Sequence, residues 1–346
     1  MIPTIAFFNS KGGVGKTSLV YHMAWMYADQ GYQVLAVDLD PQANLTEAMI
    51  DAERLEVLWS SGGKSTIYGA IAPLMEGTGD ILVPHCEPIA AKLELVVGDL
   101  SISRFEDEFA SQWANCVARQ ERAFRVISAF HRCIQHAAEL AAADVVLVDL
   151  APHLWAINRA ALVACQYIVV PVAPDPFSLQ GLRNVGPIVR QWRGEWQQRI
   201  PINPVPALEL PEDVMTPAGY VVILHSIRLD RPMQAYDLSM NQMPQVYANA
   251  MLAEPATASQ PANDSHCLGV LKNYHSLIQM AQEARKPIFH LRPADGALGA
   301  HATAAREARK DFEKVADRIA ASTWRSKDAK DSHAPVTSSD HRMDGT

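Results

Sequence analysis

The stretch TIAFFNSKGGVGKTSLVYHM, beginning at Thr4, constrains this chain more than any other feature it carries. TIAFF is an apolar run of strand length, and the glycine-rich loop after it opens directly into a helical pattern. From Lys16 to Gln30, the residues Leu19, Val20, Met23, Ala24 and Tyr27 recur on one face, and Gly31 stands where a helix ends. YQVLAVDLD is a second buried-strand pattern. A strand, a loop, a helix and a further strand in that order make a crossover unit of a parallel sheet. The expected class is therefore α/β, a doubly wound, mostly parallel sheet flanked by helices.

A strand that runs through glycines into a helix aims backbone N–H groups and a helix N-terminus at one point, a geometry that holds polyphosphate. The expected cradle is Gly12, Gly13, Val14, Gly15, Lys16, Thr17 and Ser18. Lys16 would reach the β- and γ-phosphates, and the Thr17 hydroxyl would ligate Mg2+. Ser10 stands where the strict phosphate-loop pattern has its first glycine, but the strand before and the helix after outweigh that departure. The reading is a P-loop NTPase binding a nucleotide. Lys11 is then one cation more than a single nucleotide requires.

Three carboxylates fall at strand ends. Asp38 and Asp40 lie two residues apart, so both face the same side, at the carboxyl ends of the strands where such sheets bind ligands. Asp149 closes the apolar run ADVVLVDL, and an aspartate there binds Mg2+ through its water shell. His153 and Trp155 follow in APHLW, and the histidine reads as packed or surface rather than catalytic. His85, His131, His136 and His290 have no ligand spacing.

Elsewhere the alternation of strand and helix continues. DILVPH and LELVVGDL are candidate strands, and a helical region runs from about Arg104 to Ala142 with a break near Arg119. QYIVVPVAP and YVVILHS are further strands, the alternation persists to KPIFHL, and a long helix spans about Leu298 to Ala321. Two stretches rich in proline or small polar residues read as surface loops. The expected organisation is one domain over 1–322, with a helical insertion at about 101–142 and a disordered tail over 323–346. A net charge of −8 argues against a chain that coats DNA as a whole, while a local basic patch stays open. Five cysteines without a closely spaced pair suggest reduced thiols. No signal sequence or bilayer-length apolar stretch is read, so the expected location is cytoplasmic.

Taken together, KGGVGKT, VDLDPQANLT, VVLVDLAP and YIVVPVAPDPFSLQGL resemble the deviant Walker A ATPases of the ParA/MinD family, and ARKPIFHLRPADGALGAHATAA does so more faintly. The resemblance implies that Lys11 crosses a two-fold axis to the other subunit's nucleotide. It implies catalytic roles for Lys11, Lys16 and Asp40, the last positioning the attacking water, and a magnesium region formed by Thr17, Asp38 and Asp149. The electrostatics agree: two ATP molecules face to face would repel without added cations, and one Lys11 from each subunit would offset that charge. ATP and Mg2+ are the implied cofactors. With no general base of raised pKa evident, slow turnover is expected.

Within that family, the iron–sulfur branches need cysteines near the Asp149 motif, or a C-x-x-C, that this sequence lacks. There is no amphipathic C-terminal helix after Trp324 for stable membrane insertion and no C-terminal tyrosine cluster. The ParA-like branch remains. It implies an ATP-state homodimer that binds non-specific DNA, associates with the nucleoid, segregates or positions a cargo, and is stimulated by a ParB-like or adaptor protein. Arg228, Arg231, Lys272, Arg306 and Arg309 are the candidate DNA-facing cations. The alternative is a nucleotide-controlled interaction switch without DNA binding, and a weaker third is a small-molecule ligase or kinase. The helical insertion, LHSIRLDRP and AYDLSMNQMPQVYANAML depart from the family pattern.

Overall fold

The computed structural model describes residues 1–60, 62–224, 233–256 and 258–325. In chain order its main elements are β1 (Thr4–Phe7), α1 (Lys16–Asp29), β2 (Val34–Asp38), α2 (Asn44–Met49), α3 (Ala52–Ser60), α4 (Ile67–Met75), β3 (Glu87–Ala90) and β4 (Leu93–Val96). There follow α5 (Glu106–Asn115), α6 (Glu121–Ile127), α7 (Ala129–Leu140), β5 (Val145–Asp149), α8 (Ala156–Val163), β6 (Tyr167–Val172) and α9 (Pro176–Arg199). The chain continues through β7 (Thr216–Ile223), α10 (Met233–Tyr247), β8 (Cys267–Leu271), α11 (Ser276–Ala284) and α12 (Ala300–Ser322).

Among the described residues the strands form one sheet in the order β3-β4-β2-β5-β1-β6-β7-β8, parallel throughout except for the antiparallel edge pair β3–β4. The expected doubly wound, mostly parallel sheet is what forms. Its central strands are buried on both faces, which is why they read as unbroken apolar runs. The period of two sorts their side chains between two cores. Ile5 and Phe7, with Val34 and Ala36, pack on the side of α1 and α12, whereas Ala6, Leu35 and Val37 pack on the side of α7, α8 and α9.

The helical region breaks at Arg119, whose φ of 57° is left-handed. It packs tightly against the sheet's second face. Trp113 of α5 stacks on Trp196 of α9 with ring centroids 6.0 Å apart, and the guanidinium groups of Arg159 and Arg199 lie 4.4 and 4.3 Å from the Trp113 ring centroid.

Three local expectations are corrected. DILVPH forms no strand: Leu82 and Val83 are exposed, Pro84 has no N–H to donate, and pairing starts only at Glu87. KPIFHL is a tight 3-10 turn, Ile288–His290, because Pro287 presets the backbone while Ile288 and Phe289 turn inward. Among the described residues the last strand is β8, earlier in the chain. At the C-terminus packing continues past 322: Trp324 is buried between Tyr27 and Tyr32, with centroids 5.1 and 6.2 Å away, and Arg325 donates to the Tyr32 hydroxyl. Among the described residues, no helix is long and apolar enough to cross a membrane.

Candidate nucleotide-binding site

The site forms where β1, β2 and β5 end. Neighbouring parallel strands in register place Asp38 directly beside Asp149, and Phe7 beside Asp149 on the other side. The loop leaving β1 then curls over these carboxylates into α1. Gly13 and Gly15 take φ values of 70° and 85°, a left-handed conformation costly for any residue with a Cβ. At Gly15 an added Cβ would also sit 3.2 Å from Ile223. The loop's curvature therefore depends on glycine, and it leaves the first N–H groups of α1 without a side-chain cap. Asn9 braces the entry: its Nδ2 donates to the Pro171 carbonyl at 2.8 Å, and its Oδ1 accepts from the Lys11 N–H at 3.0 Å.

Lys16 is buried, 6% exposed, and its Nζ donates to the Lys11 carbonyl at 3.3 Å. Burial lowers its pKa, opposed by the negative charges of Asp149 and Asp40. Asp149 is fully buried, and neither carboxylate oxygen has a well-formed hydrogen bond, although the Thr17 hydroxyl lies close by. Burial first, then the Asp38 charge, raise its pKa well above the carboxylate range, while the nearby Thr17 hydroxyl and Lys16 pull the other way. Asp40 is 4% exposed, and its Oδ1 accepts the Gln42 N–H at 2.9 Å. Lys16, Thr17, Asp38, Asp40 and Asp149 thus come together as read from the sequence. Val14 is buried, while Gly12, Gly13 and Ser18 lie open at the rim.

Asp38 has a more local duty than expected. Its Oδ2 accepts both the N–H and the hydroxyl of Thr46 at 2.8 Å, and its Oδ1 accepts the Asp40 N–H at 3.2 Å. Gly98 N–H in turn donates to the Thr46 hydroxyl at 2.9 Å. Asp38 therefore anchors the turn from β2 into α2. Its pKa is raised to about 7, chiefly by burial. Carboxylates of raised pKa are thus present at the site, contrary to the expectation of none, but Asp38 is committed to Thr46 and Asp149 lies beneath the Thr17 hydroxyl.

Lys11 points away from its own cradle. Its ammonium lies 2.6 Å from Asp175 Oδ2 and 3.1 Å from the Ser178 hydroxyl, at the start of α9. Asp175 caps that helix by accepting the N–H groups of Phe177 and Ser178. Burial would raise the Asp175 pKa, but the bonds from Lys11 and Ser178 outweigh it and hold the carboxyl below its ordinary value. Sequence reasoning missed Asp175 and Ser178. The signal was present, since an aspartate followed by proline opens a helix.

The candidate DNA-facing cations divide. Arg228 and Arg231 lie outside the described residues. Lys272 pairs with Glu307 and Asp311 at 3.9 and 3.5 Å, Arg309 pairs with Asp29 at 2.9 Å, and Arg306 bonds to the Thr303 hydroxyl at 3.3 Å. These three gather along α12, but acidic partners already offset two of them.

The residues fit a magnesium nucleotide. A buried ammonium whose hydrogen bond goes to a backbone carbonyl, a carboxylate with both oxygens orphaned and uncapped N–H groups over left-handed glycines are each costly without a charged ligand. Lys16 and the loop N–H groups would hold phosphate oxygens, and Thr17 with Asp149 would hold the metal. Bound there, the metal would supply charge neutralisation at the phosphates.

A strand–glycine loop–helix cradle on a doubly wound sheet, with an aspartate at the end of the adjoining strand, defines a P-loop nucleotide-binding protein. The family model described as AAA domain matches residues 2–202, more than half of the chain, and the chain belongs to that family as a ParA-like P-loop ATPase. It is 28% identical over 186 residues to the sporulation initiation inhibitor protein Soj of Bacillus subtilis, covering 54% of this chain and 64% of Soj. It is 25% identical over 204 residues to the chromosome partitioning protein ParA of Caulobacter vibrioides, covering 58% and 67%. The matched stretch spans from 42% to 67% of the length of the curated relatives. Among solved structures, a Corynebacterium diphtheriae protein shares the fold at a TM-score of 0.69 and 21% identity, over 93% of this chain and 98% of that one. An ATP complex of a Cyanothece McdA variant does so at 0.57 and 13%, over 92% and 96%.

Proposed function

We propose that this chain is an ATP-driven dimerising switch that segregates or positions a cargo. In this reading ATP and Mg2+ bind at the Lys16–Thr17–Asp149 cradle, and Asp40 positions the attacking water. Two copies close over two nucleotides, each lending Lys11 to the other. The ATP dimer binds duplex DNA without sequence preference, and a partner protein stimulates slow hydrolysis in the cytoplasm.

The observation that carries the reading is the separate placement of the two lysines. Lys16 is buried in the cradle, whereas Lys11 is partly exposed at the rim on Asp175, where a second molecule could meet it. The relatives named as partition and sporulation proteins support it as well. The test is to size the full chain with no nucleotide, with ADP and with a non-hydrolysable ATP analogue, each with and without duplex DNA. A dimer with the analogue alone supports the switch, and a monomer in every condition defeats it.

The ion pairs of Lys272 and Arg309 favour the second reading on one point. They leave the α12 face less basic than the sequence suggested, as an interaction switch without DNA binding would have it. Retention of duplex at low and moderate salt by the analogue-bound form decides between the two.

A further inference from the structure

The loop after Asp149 leads into α8, and the start of that helix is capped from an unusual source. Trp155 occupies the N-cap position, and an indole offers no acceptor for the orphan N–H groups of the first turn. Glu106, at the head of α5, supplies both acceptors instead. Its Oε1 takes the Ala156 N–H at 2.6 Å and its Oε2 takes the Ile157 N–H at 3.1 Å. A carboxylate there also meets the positive end of the helix dipole. The donor helix belongs to the helical region, which is pinned to the body by the Trp113–Trp196 stack.

From α8 the contact runs back to the cradle. Asn158, 2% exposed, donates from Nδ2 to the Ala151 carbonyl at 2.7 Å and to the His153 carbonyl at 2.5 Å, stapling the loop onto the helix that Glu106 caps. Pro152 within that loop faces the phosphate loop, near enough that a Cβ on Gly12 would sit 3.9 Å from its ring. Hydrogen bonds thus join Glu106, the α8 start, Asn158 and the Ala151 and His153 carbonyls, and Pro152 of the same loop faces Gly12, with Asp149 at the loop's entry.

We infer that Glu106 is a positioning residue for ATP hydrolysis: it fixes the loop between Asp149 and α8 in the arrangement that serves the bound phosphates. The inference rests on the reading of this cradle as a hydrolytic ATP site. It also gives the extra helices a task, because α5 fixes the start of α8 through one carboxylate.

The test uses the full chain as wild type, Glu106→Gln and Glu106→Ala. Four quantities are measured: steady-state hydrolysis, affinity for a fluorescent ATP analogue, amide exchange of peptides spanning 150–160, and melting temperature. Removing one helix cap should lower kcat about fivefold in Glu106→Ala while KM and analogue affinity stay within roughly twofold, and exchange over 150–160 should rise. Glu106→Gln should fall between, since its amide keeps one acceptor. The inference is overturned if the folded variants keep the wild-type kcat, or if only the melting temperature falls while exchange over 150–160 is unchanged. A wild type that binds the analogue without hydrolysing ATP removes the underlying reading, and the inference with it.

Discussion

Asp149 and His22 are both almost wholly enclosed and both meet α1, yet the fold treats them in opposite ways. His22 has each ring nitrogen engaged: Nδ1 lies 2.6 Å from the Ser18 carbonyl and Nε2 accepts the Ile288 N–H at 3.3 Å. Its ring stacks on Phe312, with centroids 4.6 Å apart. Asp149, at the end of β5 beside Thr17, has no well-formed hydrogen bond at either oxygen. A buried polar group with all its partners contributes to folding, whereas one without them costs stability that only a ligand returns. The contrast separates structure from function on either side of the phosphate loop's helix, and each prediction below breaks or sharpens it.

The largest effect should follow Lys16→Ala. Removing the one buried ammonium of the cradle leaves Asp149 and Asp40 facing incoming phosphates unopposed. Affinity for ATP should fall by about two orders of magnitude or more, measured by calorimetry. Binding within tenfold of wild type would mean that the loop's N–H groups alone hold the phosphates.

Asp149→Asn should move the two sides of the comparison in opposite directions. The amide keeps the shape and removes a carboxyl that is costly in either protonation state. The nucleotide-free protein should gain about 1–2 kcal/mol of stability by thermal melting, while hydrolysis is lost. A lower melting temperature would show that Asp149 is satisfied in the free protein, and the distinction from His22 would fail.

The acid limb tests His22 itself. Burial depresses its pKa from 6.5 to about 4, and does the same for His131. A depressed histidine contributes stability that is present above pH 6.5 and is lost as pH falls toward 4, on the order of 3 kcal/mol for each. Asp38 runs the other way. With its pKa raised from 3.8 to about 7, its contribution is complete below pH 3.8 and lost as pH rises to 7. The trends partly cancel, so the difference between wild type and His22→Gln carries the test. Denaturant melts from pH 7 to pH 4 should show the variant losing less stability with acid than the parent, by on the order of 3 kcal/mol.

How much of this was legible follows from how local each signal is. The strands β1, β2 and β5 announced themselves because burial on both faces demands unbroken apolar runs, and the phosphate loop did so because its left-handed turns require glycine. Asp38, Asp40 and Asp149 followed from strand ends alone. Glu106 did not, since its partners lie 50 and 51 residues away and no periodicity encodes that distance. Asp175 showed a helix start but not the lysine it would hold. DILVPH misled because Leu82 and Val83 carry the same apolar letters whether or not a neighbour covers them. CLGVL, which forms β8, is only five residues long, carries a glycine and directly follows the small, polar loop pattern AEPATASQPANDSH.

The smallest effect on stability should come from Lys11→Ala, and that smallness is the point. The Lys11–Asp175 pair is partly solvent-exposed, with 31% of the lysine side chain accessible, and such pairs contribute about 0–1 kcal/mol. Asp175 would keep the Phe177 and Ser178 bonds that cap α9. Melting should therefore shift little, and a single chain should bind ATP nearly as the parent does, because Lys16 rather than Lys11 occupies the cradle. Association with the non-hydrolysable analogue should nevertheless disappear on sizing. Lys11 would then belong with Asp149 rather than with His22, a charge kept for a partner outside the fold. If Lys11→Ala dimerises as readily as wild type, its ammonium serves only Asp175, and the extra cation of the loop is structural after all.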